Sequence, residues 1–297
     1  MSFKKTFVTL LAALVAVGAL TACGGQQPAS SEADSAPAAS GDDKVITIGA
    51  SPAPHQEILN ALAADFEKEG YTLKVKEFTD YVLPNKALND GEIDANFFQH
   101  KPFLDNFNKE NKTDLKTVAF VHYEPMAIFP GKTNSLDALK DGDKIAVPND
   151  TSNEARALLL LQDNGLIKLK EGSDLNATVR DIEDNPKKLE IVEMEAAQIP
   201  RALPDVALAV INGNFAIASD INFDSNLAVE DPNSLAAKAY ANIIAVRADD
   251  VDSPKTKALV KVLTSDAAKK VITDKYKGTV IPVNNDDVEA YFADKDK

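Results

Sequence analysis

Three short stretches concentrate side chains able to hold a small polar ligand. From Tyr81 to Leu104 the sequence YVLPNKALNDGEIDANFFQHKPFL places Tyr81, Phe97, Phe98 and His100 between turn signals, a mixture that neither a plain core strand nor a surface helix calls for. Amphipathic rings gathered at strand and loop ends suit a concave apolar pocket. Phe97 and Phe98 are adjacent, so in a strand they point to opposite faces: one packs in a core, and the other either lies under a helix or faces a ligand. From Pro148 to Arg156 (PNDTSNEAR) a loop rich in N-cap residues leads into a helix beginning near Ser152 or Asn153. Free N–H groups at that helix start, with Arg156 in its first turns, would suit a carboxylate; the competing account pairs Arg156 with Glu154 or a surface acid. From Val210 to Ala216 (VINGNFA) an apolar strand runs into a turn. Gly213 and Asn214 are ordinary turn chemistry, whereas Asn212, like Asn242 at the start of another apolar strand, offers both a carbonyl and an amide to a ligand.

Other chemistries fare worse on inventory. Gly49-Ala50-Ser51 lacks the second glycine of a nucleophile elbow, no phosphate loop is present, and the sole cysteine is Cys23, so no catalytic residue is expected. A divalent-metal receptor is the stronger rival, since His55, His100 and His122 with nearby acids could supply ligands. No two of these histidines stand at i,i+2 or i,i+4, and Arg156 would repel a cation, so neither a metal nor a cofactor is expected.

The elements that must position these residues form an α/β pattern. Val45–Ser51 is a strand stopped by Pro52 and Pro54; Ile58, Leu59, Leu62 and Phe66 mark a helix face that ends at Gly70; Thr72–Phe78 alternates as a second strand. A short helix follows Pro84, and 95–98 reads as near-strand up to Pro102. Strands are expected at 115–121, 144–147, 189–192, 206–211 and 242–246, with helices at 152–162 and 254–263 among those between, which predicts mainly parallel sheets. The long apolar stretch from Leu115 to Phe129, broken by Tyr123, Glu124 and Pro125, reads as a strand leaving one lobe and entering another, with Asn242–Arg247 as the return.

The beginning of the chain sets where these lobes reside. Lys4 and Lys5, an apolar run from Phe7 to Leu20 and then small residues make residues 1–22 a secretory signal peptide. Leu20, Thr21, Ala22 and Cys23 resemble a bacterial lipobox, which would make Cys23 the lipidated first residue of the mature chain. Anchoring follows from roughly 0.8 kcal/mol per buried methylene. No thiol then remains for disulfides or Cys-rich metal sites. Residues 24–43 contain no aliphatic side chain larger than alanine and read as a flexible tether. The formal charge is −14, and removing Lys4 and Lys5 with no acid takes it to −16, which argues against nucleic acid and against an anionic membrane surface as partners.

These segments together resemble the NlpA-type lipoproteins, the methionine-binding receptors of ABC importers. The matching stretches are SPAPHQEI (51–58), FTDYVLPNKALNDGEIDANFFQHKPFLD (78–105), IAVPNDTSNEARALLLLQDNGLIKL (145–169), DIEDNPKKLEIVEMEAAQIPRAL (181–203) and LAVINGNFA (208–216), with the lipobox in register. The resemblance implies a two-lobed periplasmic-binding-protein fold, with residues 44–124 and 246–297 forming lobe I, 125–245 forming lobe II, and the ligand cleft between them. It assigns Tyr81, Phe97, Phe98, His100 and Tyr123 to an aromatic pocket for the thioether, Arg156 to the carboxylate clamp, and Asn212 and Asn242 to the ligand's polar ends. It further implies a monomer, lipid-anchored outside the cytoplasm, that delivers methionine, L or D, to a permease and ATPase complex. Relatives that take another amino acid or a short peptide share the clamp. An adhesin would share the anchor and tether but would not need an Arg-and-Asn clamp facing aromatics. Replacing Arg156 by alanine is expected to abolish amino-acid binding with the fold intact.

Overall fold

A computed structural model describes residues 44–232 and 238–295. The signal peptide, Cys23 and the tether expected over residues 1–43 lie outside the described residues, all of which fall in one compact unit, Ala39–Lys297. No helix among them is long and apolar enough to cross a membrane.

The chain builds two sheets. It opens with β1 (Val45–Ala50), α1 (Glu57–Ala61), α2 (Ala63–Lys68) and β2 (Thr72–Glu77). The helix face read through Ile58, Leu59, Leu62 and Phe66 is real, and the helix breaks at Leu62 into two pieces that bury all four side chains. Next come α3 (Leu83–Asn89), β3 (Ala95–His100), α4 (Lys101–Asn111) and β4 (Leu115–Tyr123). These strands, with β12 (Asn242–Arg247) and β13 (Ile281–Pro282), form a six-stranded sheet of order β13-β4-β12-β3-β1-β2. Ile46, Ile48, Phe97, Ile244 and Val246 pack there beneath Ile58, Phe66 and Leu259.

After β4 the chain passes through Glu124 and Pro125 into β5 (Ala127–Pro130), the first strand of a second sheet. That sheet adds β6 (Lys144–Pro148), β9 (Glu190–Met194), β10 (Leu208–Ile211) and β11 (Ala228–Val229) in the order β11-β5-β10-β6-β9. Its main helix is α5 (Thr151–Asp163), with the shorter α6 (Ile199–Ala202) and α7 (Gly213–Ala218) beside it; β7 (Lys168–Leu169) and β8 (Ile182–Asp184) pair separately. Leu158 and Leu161 of α5 bury against Ile145, Val147, Leu208 and Val210. With Leu160, three buried leucines of about 2 kcal/mol each would make such a helix face stable without good intrinsic propensity.

Parallel pairing, as βαβ units demand, joins β1 to β2 and β3, and β6 to β9 and β10. The strands that carry the chain across and back, β4, β5 and β12, pair antiparallel, so each sheet is mixed. The chain end adds α8 (Pro254–Leu263), α9 (Asp266–Tyr276) and α10 (Asn285–Lys295); Ser253 and Ser265 cap the first two by accepting from the N–H groups of Thr256 and Ala268. The expected lobe boundary between 245 and 246 falls inside β12, all six residues of which pair within the six-stranded sheet.

Candidate ligand site between the two sheets

Alternation along β3 decides which aromatic faces outward. Phe97 is fully buried in the core of the six-stranded sheet, its ring edge-on to His55 and His122 at 4.7 and 5.3 Å. Phe98 points the other way, toward Tyr81 at 5.8 Å and Phe103 at 6.1 Å. Tyr81 sits in a turn that Asp80 holds by accepting from the N–H groups of Val82 and Leu83 at 2.7 and 2.8 Å, just before α3. From there its ring reaches Phe215 of α7 at 4.8 Å and its hydroxyl donates to Asn214 Oδ1 at 2.5 Å. His100, at the end of β3, caps α4: Nδ1 accepts from the Phe103 N–H at 3.2 Å. Its Nε2 therefore carries the proton and donates to Asn153 Oδ1 at 3.1 Å.

The second sheet supplies the polar wall. Asp150 fills the N-terminus of α5 with its own carboxylate, accepting from the backbone and side chain of Asn153 and from the Ser152 hydroxyl. The expected free helix start for a ligand carboxylate is thus already occupied. Asn153, so fixed, accepts from Asn212 Nδ2 at 2.8 Å. Two turns into the helix, Arg156 is 4 % exposed. It pairs with neither Glu154 nor a surface acid: Nε and Nη2 donate to the two oxygens of buried Glu230 at 2.7 and 2.6 Å, and Nη2 also donates to the Glu124 carbonyl at 2.8 Å. Burial opposes the guanidinium charge, but attraction to Glu230 outweighs it and holds the pKa above its ordinary value.

Tyr81, Phe98, Gln99, His100, Phe103, Glu124, Asn153, Arg156, Asn212, Gly213, Asn214 and Asn242 line one cavity with about 320 Å³ of free space, the part open to solvent included. Six of the eight residues singled out from the sequence are among them. Phe97 and Tyr123 are not. The pleat turns Phe97 into the core, while the Tyr123 hydroxyl donates to Glu230 at 2.6 Å, behind Arg156. Glu124, Asn153 and Asn214, which the sequence presents only as a strand interruption, a helix start and a turn, complete the polar wall. Two buried polar atoms of the wall lack a protein partner, the acceptor Asn212 Oδ1 and the donor Asn214 Nδ2.

Behind Glu124 lies a second polar group. His122 Nε2 is 2.7 Å and His55 Nε2 3.3 Å from Glu124 Oε1. His55 Nε2 also meets Asn242 Oδ1 at 2.9 Å, and its Nδ1 meets the Ser51 hydroxyl at 3.0 Å. Burial lowers the pKa of His55 to about 4 and those of His100 and His122 to about 3. It raises that of Glu124, against the opposing pull of His55, Arg156 and the Asn214 N–H. His55, His122 and Glu124 are the one group among the described residues whose ligand atoms converge as a metal site would require.

A model of the NlpA lipoprotein family matches residues 46–284. The D-methionine-binding lipoprotein MetQ of Escherichia coli K12 is 41% identical over 281 residues, covering 91% of this chain and 97% of that one. Among solved structures, a nutrient-binding protein of Burkholderia cenocepacia bound to methionine superposes with a TM-score of 0.75 at 45% identity, over 80% of this chain and 99% of that one. A periplasmic substrate-binding protein of an ABC transporter from Coxiella burnetii gives 0.75 at 40% identity, over 80% and 100%.

Proposed function

The chain belongs to the NlpA lipoprotein family, and from that premise and the geometry above we propose that it captures methionine between its lobes and passes it to the membrane complex of an ABC importer. The observation that carries this is the division of one cavity into two chemistries. Arg156, Glu124, Asn212 and Asn214 offer both signs of charge, a spare acceptor and a spare donor, which together suit the two ends of a zwitterion. Tyr81, Phe98 and Phe103 offer ring edges, where a thioether gains roughly 0.3 to 1.5 kcal/mol. In this reading the ligand carboxylate lies on the Arg156 and Asn214 side, the α-ammonium lies between Glu124 and Asn212, and His100 and Asn242 close the floor.

Residues 44–124 and 242–295 would move as lobe I and 126–230 as lobe II. Lipidated Cys23 would hold the protein, as a monomer, outside the cytoplasm beside its permease. No step of this reading requires catalysis or a cofactor. A thermal-shift panel of L- and D-methionine, other amino acids, dipeptides and zinc tests it. Methionine at 100 times its dissociation constant should stabilise the protein by about 2.7 kcal/mol. A shift with zinc and none with either methionine would overturn the proposal.

A further inference from the structure

Glu124 is held by His122 at one carboxylate oxygen, and the Asn214 N–H also draws on the carboxylate. Both imidazoles approach Oε1. Oε2 lies toward the cavity wall, 3.3 Å from the place a Cβ on Gly213 would take. The hydrogen bonding around the imidazoles fixes their tautomers. His55 has an acceptor at Nε2, the Asn242 carbonyl, and a hydroxyl at Nδ1, so Nε2 carries the proton and Nδ1 accepts from Ser51. His122 Nδ1 is buried and unpartnered. A bare acceptor there costs less than an orphaned N–H, which again puts the proton on Nε2. One neutral Nε2–H donor, that of His122, thus meets the carboxylate at 2.7 Å, while that of His55 is taken by Asn242 Oδ1 at 2.9 Å and lies 3.3 Å from the same oxygen.

We infer that His122, and His55 through Asn242, are positioning residues of the ligand site: His122 fixes Glu124 so that its second oxygen receives the ligand's α-ammonium, restricting the site to molecules with a free α-amino group. This rests on the amino-acid reading above. Neither histidine lines the cavity; His122 acts through Glu124, and His55 acts through Asn242. The same three groups could instead close around a transition metal. The second partner of a metal-bound imidazole, normally a carboxylate, carbonyl or water, is missing at His122.

The test compares methionine with its des-amino analogue, 4-(methylthio)butanoate, by calorimetry on the full chain. In the wild type methionine should bind far more tightly. His122→Phe should reduce its affinity by about ten- to a hundredfold, the worth of a charge-assisted hydrogen bond, and leave the analogue's affinity unchanged, so the ratio collapses. His122→Gln, which restores an N–H donor, should recover most of the ratio. Equal losses for both compounds, or an intact ratio in His122→Phe, would overturn the inference. If His122→Phe does not fold, nitrogen NMR of the wild type decides: Nε2–H tautomers at His55 and His122 support the arrangement, and an Nδ1–H tautomer at His122 overturns it. One equivalent of zinc bound at these histidines and excluding methionine would also overturn it. Binding of neither compound by the wild type would instead count against the amino-acid reading, and the NMR measurement would still decide the histidine arrangement.

Discussion

At the scale of single residues, Arg156 changes most between sequence and structure. The sequence suggests a clamp that can be cut away with the fold intact. In the structure it neutralises Glu230, which also accepts from the Tyr123 hydroxyl and the Met126 N–H at 2.8 Å. Removing one partner of a buried pair leaves an uncompensated charge and costs roughly 3–5 kcal/mol. Arg156→Ala should therefore abolish methionine binding and also lower unfolding free energy by about that amount in urea titrations; unchanged stability would show that Glu230 finds another partner. The histidines make a pH prediction. Folded, His55, His100 and His122 stay neutral down to about pH 3 or 4; unfolded, they take protons near their ordinary 6.5. The unfolded chain thus binds more protons in that window, and their contribution to stability is full above about pH 6.5 and lost as the pH falls toward 4. Glu124 and Asp150, raised by burial, act with the opposite sign. The histidine part is read as a difference: melting temperature should drop less steeply with acid in His100→Gln than in the wild type.

At the scale of elements, much of the fold was legible because periodicity survives folding. The strand read at 144–147 is Lys144–Pro148, and the helix read at 254–263 has those bounds. The Asn-Gly-Asn turn was legible as a turn, but not as the place where β10 and α7 press against the crossing segment. A Cβ at Gly213 would lie 2.9 Å from that of Glu124. Gly213→Ala should therefore displace the Glu124 carboxylate and weaken methionine binding by about tenfold or more with little loss of secondary structure, since overpacking costs about 1–3 kcal/mol. Calorimetry beside circular dichroism would check both halves. Glu230 was not legible at all. An acid before Asp231 and Pro232 looks like surface, and its partner stands 74 residues away. Which of Phe97 and Phe98 faces the site was equally closed to inspection, because only the partner elements of β3 decide it.

At the scale of the whole molecule, two segments cross between the sheets, and side chains on one side of the cleft bond to those on the other. His100 reaches Asn153, and Tyr81 reaches Asn214. Glu230, joined to Tyr123 and to Arg156, ties the first crossing to the polar wall beside the second. The aromatic corner formed this way has a consequence for nutrition under oxidising conditions. Its one hydroxyl, on Tyr81, already donates to Asn214, so the three rings keep edges for a sulfur atom and no free hydroxyl for an oxygen attached to it; the donor left beside them, Asn214 Nδ2, is the one placed above on the ligand carboxylate. Methionine sulfoxide, a common product of oxidative damage to the amino acid, would have to bury its polar S=O bond there at a cost of roughly 1–3 kcal/mol. It should compete with methionine about ten- to a hundredfold less well than the reduced form does, as a displacement assay would show. Outside the membrane, where damaged and intact methionine mix, the cleft would act as a sieve for sulfur's oxidation state, sparing the cell the reductant needed to repair what it takes in.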